Sequence, residues 1–377
     1  MNKFVLSAIA LTTAGGLASA GTGSEEWLTL DREIESLASA QAATTTSTSG
    51  FTVDGFLRTS CANSSDYSVP NEAGENDLGG FSIDNVRVDV TGTVGDYMLY
   101  VQLEGASMFG DSSPTDGLLP YPIGAGYGTG GSVYVLDAYA AWNISDQFRL
   151  TMGQFRSPFL GTAQRNEDQL LFLDRTVVGH LWSERDQGVM LSGQYDMLGW
   201  YIAGQNGIDS LGDDLSFSGR VSFDAMGAGT GGAGLEGAYG AAEGTNLSFG
   251  AGYYWDDDSV VDDLSAWNLE STHVRGPLSA EASYVDHDDG FGTLLGLSSG
   301  PAILALTGGF MFVPDRWEAA VRWEDLDDDD DTSVITLGVN YYAVGHDAKW
   351  QLNYAMIDSD DDTLDGDRLG LGLTVGV

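Results

Sequence analysis

The sequence predicts an all-β fold, a 16-stranded antiparallel barrel that crosses a membrane. Three observations point to it: two-residue alternation of apolar and polar residues, an even number of candidate strands, and connections that are by turns tight and long. Past the N-terminus no apolar run is long enough for a helical span. The chain of 377 residues holds 52 glycines and 8 prolines, and its single cysteine, Cys61, leaves no intrachain disulfide to form. An exported chain of this kind must be supported by its own sheet.

Residues 1–20 read as a secretory signal peptide: Met1-Asn2-Lys3, a short apolar run over 4–17, then Ala18-Ser19-Ala20 with cleavage after Ala20. The alternative, a transmembrane anchor, is opposed by the shortness of the run and by Thr12, Thr13, Gly15 and Gly16 within it. Over residues 21–43, Trp27, Leu30, Ile34 and Leu37 make an a/d seam, which predicts a coiled-coil helix of about two heptads, too short to be stable alone. It gains stability by associating with copies of itself in an oligomer, or by lying against its own domain. Residues 44–50 (TTTSTSG) read as a linker, and 51–377 as the barrel.

Candidate strands start near residues 51, 81, 97, 132, 147, 187, 197, 214, 245, 264, 277, 301, 316, 332, 347 and 367. The clearest sets Trp350, Leu352, Tyr354 and Met356 against Lys349, Gln351, Asn353 and Ala355; another sets Trp317, Ala319, Val321 and Trp323 against Arg316, Glu318, Ala320 and Arg322. The last stretch, Leu369-Gly370-Leu371-Gly372-Leu373-Thr374-Val375-Gly376-Val377, reads as the closing strand, pairing with the first near Phe51. Its aliphatic residues face lipid and its glycines face the lumen or a neighbouring wall.

Even-to-odd links are tight at 91–96, 144–147, 195–198, 275–278, 313–316 and 344–347, whereas odd-to-even links are long at 61–79, 107–130, 156–186 and 286–300. Short turns on one rim and long loops on the other is the plan of bacterial outer-membrane barrels. The link 227–244 breaks the rule, being long where a short turn belongs. Either it hides an excursion or the strand count slips there. The acidic clusters at 255–263, 324–331 and 358–362 all fall on the long-loop rim. Tyr253, Tyr254, Trp255, Tyr341, Tyr342 and Trp350 gather near strand ends as candidates for an interfacial girdle.

With 56 acidic against 15 basic residues and a net charge of −41, the chain excludes a nucleic-acid partner bound through a basic surface. Such acidity also suits a saline habitat. Against this background one loop differs from the others: 153–193 carries Arg156, Arg165, Arg175 and Arg185, four of the 15 basic residues, together with Phe159, Leu170, Leu171, Phe172, Leu173 and Trp182. A loop both apolar and arginine-bearing is expected to fold inward and pack, narrowing the lumen.

Three pieces of that region, Gly153-Gln154-Phe155-Arg156-Ser157-Pro158-Phe159, Phe172-Leu173-Asp174-Arg175 and Arg185-Asp186-Gln187-Gly188-Val189, resemble the phosphate-selective porin O/P family. VRGPLSAEASYV (274–285) and the N-terminal heptads also fit. The resemblance implies a homotrimeric 16-stranded porin in the outer membrane of a Gram-negative-type envelope, in contact with its lipid and passing small ions and solutes. It also implies a third long loop folded into the pore. On this reading the constriction comprises Arg156, Arg165, Asp168, Asp174, Arg175, Glu184, Arg185 and Asp186. The arginines either face acids across the opening and set up a transverse field, or neutralise Glu167, Asp168, Asp174, Glu184 and Asp186 and hold the loop together.

Two departures qualify the resemblance. Phosphate channels of the family rely on rows of lysine and arginine, whereas this chain has only Lys3 and Lys349 and acidic outer loops. The expected function is therefore passive diffusion of small hydrophilic solutes and ions with a preference for cations. The alternatives are an anion- or phosphate-selective channel and a structural anchor or surface-layer-binding barrel. The chain also ends in Val377, where such barrels often end in phenylalanine.

An enzyme is the rival from another class, but His180, His273, His287 and His346 lie in no nucleophile context and no G-x-S-x-G occurs, so no catalytic residue is assigned. His287 between Asp286 and Asp288 reads as part of a solvated loop before it reads as a metal ligand. Asp358, Asp360 and Asp362 resemble the start of a calcium loop but lack the glycine (Thr363 stands there) and the closing glutamate. No cofactor is expected beyond loosely bound Ca²⁺ or Mg²⁺ at the acidic outer loops.

Overall fold

Alternating apolar and polar residues give strands that each have one greasy and one polar face, and sixteen of them close on themselves in the computed structural model. The structure describes residues 49–65, 78–107, 131–208, 215–227, 236–240, 245–257, 263–360 and 365–377. In chain order the first eight strands are β1 (Ser49–Ser65), β2 (Leu78–Val94), β3 (Tyr97–Ser107), β4 (Gly131–Asn143), β5 (Phe148–Arg156), β6 (Arg185–Tyr195), β7 (Leu198–Gln205) and β8 (Ser216–Met226). The second eight are β9 (Thr245–Asp256), β10 (Leu264–Arg275), β11 (Leu278–His287), β12 (Ala302–Val313), β13 (Trp317–Asp325), β14 (Ser333–Val344), β15 (Ala348–Asp358) and β16 (Gly366–Gly376).

Each strand neighbours the next in sequence, and β1 pairs antiparallel with β16, Cys61 standing opposite Leu371. Closure removes every sheet edge, as hydrocarbon requires of backbone that cannot bond to water. All sixteen strands start within three residues of the positions expected from alternation. The first begins at Ser49, two residues inside the expected linker. The signal peptide and the heptad segment lie outside the described residues.

Burial in this barrel is inverted relative to a water-soluble protein. Leu369, Leu371 and Val375 of β16 are exposed while Gly370, Gly372 and Thr374 are buried, and Arg58, Arg87, Gln102, Glu318, Asn340 and Lys349 are buried on other strands. Exposed aliphatics around buried charge are stable only if the outside is lipid. The rims also differ as expected, with tight turns at 95–96, 144–147, 196–197, 276–277, 314–316 and 345–347. At 276–277 the left-handed φ of +55° at Gly276 turns the chain directly before Pro277.

The aromatic girdle needs correction. Tyr253 and Trp350 face outward, but Tyr254 and Tyr342 are buried inside the barrel. Successive residues of a strand point to opposite faces, so adjacent aromatics cannot share one girdle. The long link at 227–244 joins β8 to β9 with the ring of sixteen intact, so it is an excursion and not a missed strand.

Candidate functional site: the inward-packed loop

Between Arg156 at the end of β5 and Arg185 at the start of β6, the chain folds into two 3-10 turns, Thr162–Gln164 and Glu167–Gln169, and the five-residue helix α1 (Val177–Leu181). Thr176 caps α1 by accepting from the Gly179 N–H at 2.9 Å. Phe159, Leu160, Leu171, Phe172 and Val178 are fully buried, which explains how so apolar a loop is tolerated. Trp182 is a hub, its ring centroid 4.1 Å from that of Phe159 and 4.8 Å from that of Tyr254 on β9.

His287 is not in a solvated loop, contrary to expectation. It is buried at the end of β11, with Nδ1 2.8 Å from the Pro301 carbonyl and Nε2 accepting from Trp182 Nε1–H at 3.1 Å. With both ring nitrogens engaged, no lone pair is left for a metal. Helix α2 (Asp289–Leu295), capped by Asp288, brings Phe291 onto the same cluster.

The loop is bonded to the inner wall across the barrel. Asn268 of β10 donates to the Phe159 carbonyl at 2.8 Å, and Asn340 of β14 to the Leu171 carbonyl at 2.8 Å. Lys349 of β15 donates to the carbonyls of Asp168 and Leu170 at 2.8 and 2.6 Å. In the other direction, the N–H groups of Gly161 and Val177 donate to Glu270 of β10 and Glu324 of β13. The glycine face of the closing strand lies beneath Leu173: a Cβ built at Gly370 would stand 2.9 Å from its Cδ1. The alternation of leucine and glycine thus gives lipid one face and the loop the other.

The expected site residues divide into several settings. Arg156 and Arg175 converge on Glu167, with Arg175 Nη2 at 2.8 Å and Arg156 Nη2 at 3.5 Å from Oε1; Arg87 of β2 holds Oε2. Burial works against charge on Glu167, but Arg175, Arg87 and Arg156 overcome it and hold the carboxyl well below the usual carboxylate range. Arg165 instead pairs with Glu281 of β11, Nη1 to Oε1 at 2.9 Å. Burial disfavours its charge, yet Glu281 raises the guanidinium further. Arg185 lies 3.4 Å from Asp137 of β4 and donates to Gln102 of β3 at 3.1 Å.

Among the acids, Asp174 pairs with Arg368 of β16 at 2.9 Å, while the Asp186 carboxylate accepts the Gly207 N–H at 2.8 Å. Asp168 is tied by its carbonyl to Lys349, and burial raises its carboxyl. Glu184 is exposed. Loop arginines therefore neutralise a loop acid at Glu167, and otherwise turn to the wall. Arg58, Arg87, Glu281, Glu324, Lys349 and Arg368 were not singled out by sequence, although each lies on the polar face of an alternating strand.

At the acidic rim, the Asp360 N–H donates to the Asp330 carbonyl at 2.8 Å, and Asp362 lies outside the described residues. No group of three metal-ligating side chains is assembled among the described residues.

A closed barrel, greasy outside and charged inside, with a loop bonded to its inner wall, has the architecture of an outer-membrane channel protein. The chain belongs to the family of phosphate-selective porins O and P, which matches residues 59–281. No curated protein matches the sequence. Among solved structures, OprB of Pseudomonas putida at high pH aligns with TM-score 0.59 at 10% identity, covering 87% of this chain and 94% of that one. The anion-selective porin of Comamonas acidovorans aligns with TM-score 0.56 at 12% identity, over 87% and 100% of the two chains. OmpT of Vibrio cholerae, an outer membrane protein in its in-vitro folded trimer form, gives 0.53 at 13%, over 87% and 99%. At such identities these likenesses concern fold alone. Family and fold together make the protein an outer-membrane porin.

Proposed function

We propose that this porin is a passive diffusion channel for small hydrophilic solutes and ions, that it prefers cations, and that the loop 156–186 forms its constriction. The observation that carries the preference is the pairing of interior arginines. Arg87, Arg156 and Arg175 share Glu167 and, through Arg87, Glu104, which leaves one positive charge over, while Arg165, Arg185, Arg220, Arg322 and Arg368 stand one to one against Glu281, Asp137, Glu270, Glu324 and Asp174. A guanidinium paired with a fixed carboxylate offers little net field to a passing anion. Glu236 and Glu318 are buried acids with no ion pair among the described residues, and the rim at 325–331 is acidic. The summed potential favours cations.

The anion-selective reading needs arginines that are free of carboxylates, and the pairs argue against it. The anchor reading assigns no role to so elaborate an inner loop. We further propose residues 1–20 as signal peptide, 21–43 as a coiled-coil helix and 44–50 as a linker. The working form is a homotrimer with its long loops outside the cell, where Ca²⁺ or Mg²⁺ bridges acidic rims to lipid head groups. Liposome swelling tests the channel itself: vesicles bearing the folded protein should swell in small sugars and not in large ones, and vesicles that stay shut would overturn it.

A further inference from the structure

The β8–β9 link is the one connection long where a short turn belongs, and its described residues, 236–240, fold inward just inside that rim, Tyr239 reaching the β14–β15 turn at His346. Glu236 and Ala238 are buried. The Glu236 carboxylate accepts the Leu171 N–H at 3.0 Å, so a residue from the short-turn side touches the loop that enters from the opposite rim. The Ala238 N–H in turn donates to Glu318 of β13 at 2.7 Å, and the other oxygen of Glu318 accepts from Tyr342 of β14 at 2.8 Å. Tyr239 stacks on Tyr342, centroids 4.3 Å apart and planes 22° from parallel, and meets His346 edge-on at 5.4 Å.

The fit at the crossing point is close. Gly237 has a left-handed φ of +91°, and a Cβ there would stand 2.9 Å from Leu171 and 3.0 Å from both Glu318 oxygens. Only glycine suits both the backbone and the space. The wall therefore grips the segment through Glu318, and the segment grips the loop through Glu236. Each buried carboxylate is matched to a backbone N–H instead of a cation, which suits a mechanical role better than a charge-neutralising one.

We propose that Glu236–Gly240 is a strut that enters from the short-turn rim, props the inner loop at Leu171 and narrows the channel from that side, with Glu236 as its positioning residue. The inference rests on the channel reading given above. Without the strut, the loop segment around Leu171 keeps the bonds from Asn340 and Lys349 to its carbonyls but loses the grip on its N–H and fluctuates more, while the ion pairs of Arg165 and Glu167 still hold the rest in place.

Single-channel recording in planar bilayers tests this with Glu236→Ala, Glu236→Gln and a variant in which 228–244 is replaced by Asn-Gly. Heat-modifiable gel migration selects folded protein in every case. The shortened link should raise conductance about twofold, as an aqueous pore responds to widening at its narrowest section. Glu236→Ala should add open-channel noise and substates. Glu236→Gln should keep the wild-type open-channel noise, because its amide oxygen accepts the same N–H, and should lose only some of the cation preference with the charge. Equal effects of Gln and Ala would make the charge and not the grip responsible, and would overturn the strut. Wild-type conductance and noise in both the Ala and the shortened variants would overturn it too. A folded wild-type protein that conducts nothing would instead remove the channel reading, and the strut with it.

Discussion

Arg175 donates twice to one oxygen of Glu167, Nε at 3.2 Å and Nη2 at 2.8 Å, while Arg87 from the facing wall takes the other oxygen. A single loop carboxylate thus sits where guanidinium groups from β2, β5 and the loop converge, in the position a bound anion would otherwise take. Structural order depends on it, and so, on the cation-preferring reading proposed above, does the sign of the interior field.

Replacing Glu167 by Gln should therefore act in two ways. Removing one partner of a buried charge network costs about 3–5 kcal/mol, because the remaining charges lose their compensation. Midpoints of heat-modifiable migration should fall. In the fraction that folds, the uncovered arginines should draw anions, moving the reversal potential toward chloride. An unchanged reversal potential in folded Glu167→Gln would place this cluster away from the ion path.

The closing strand gives a packing test. Val at Gly372 would drive a side chain into Leu173, and overpacking of a close contact costs about 1–3 kcal/mol. Yield of folded barrel should drop in Gly372→Val and recover in Gly372→Val combined with Leu173→Ala, a coupling that a double-mutant cycle measures. Additive losses would mean that Leu173 does not rest on this face.

Acid sensitivity follows from His346, in the β14–β15 turn. Burial, together with the charge of Lys349, lowers its pKa from 6.5 to about 4. Between those values the unfolded chain binds a proton that the native protein refuses, so stability falls as pH falls across that window. Glu167 works lower on the scale: its contribution is intact above 4.5 and is lost only as pH drops through its much lower native value. Thermal midpoints should decline from pH 7 toward 4, and His346→Gln should flatten that slope. A profile identical to wild type would assign the acid response to other groups.

Much of this was legible in the chain because alternation is local. Trp350, Leu352 and Tyr354 declare a strand and its two faces without reference to any other strand. Arg165 and Glu281 are 116 residues apart, and their pairing depends on how the loop crosses the lumen, which no local period encodes. The inward fold of 156–186 could be inferred because its apolar residues had no other place to go. Its partners could not, because every polar strand face offered suitable candidates. His287 misled for a related reason: its acidic neighbours Asp286 and Asp288 point to water in sequence, while its own side chain turns in to meet Trp182.

Cation preference in a loop-constricted porin would show first in the reversal potential of the purified wild-type protein in a planar bilayer under a KCl gradient. The sign for K⁺ is expected, weakening as salt screens the acidic rim. A reversal potential with the sign for Cl⁻ would contradict it, and would mean that the interior arginines govern permeation despite their carboxylate partners.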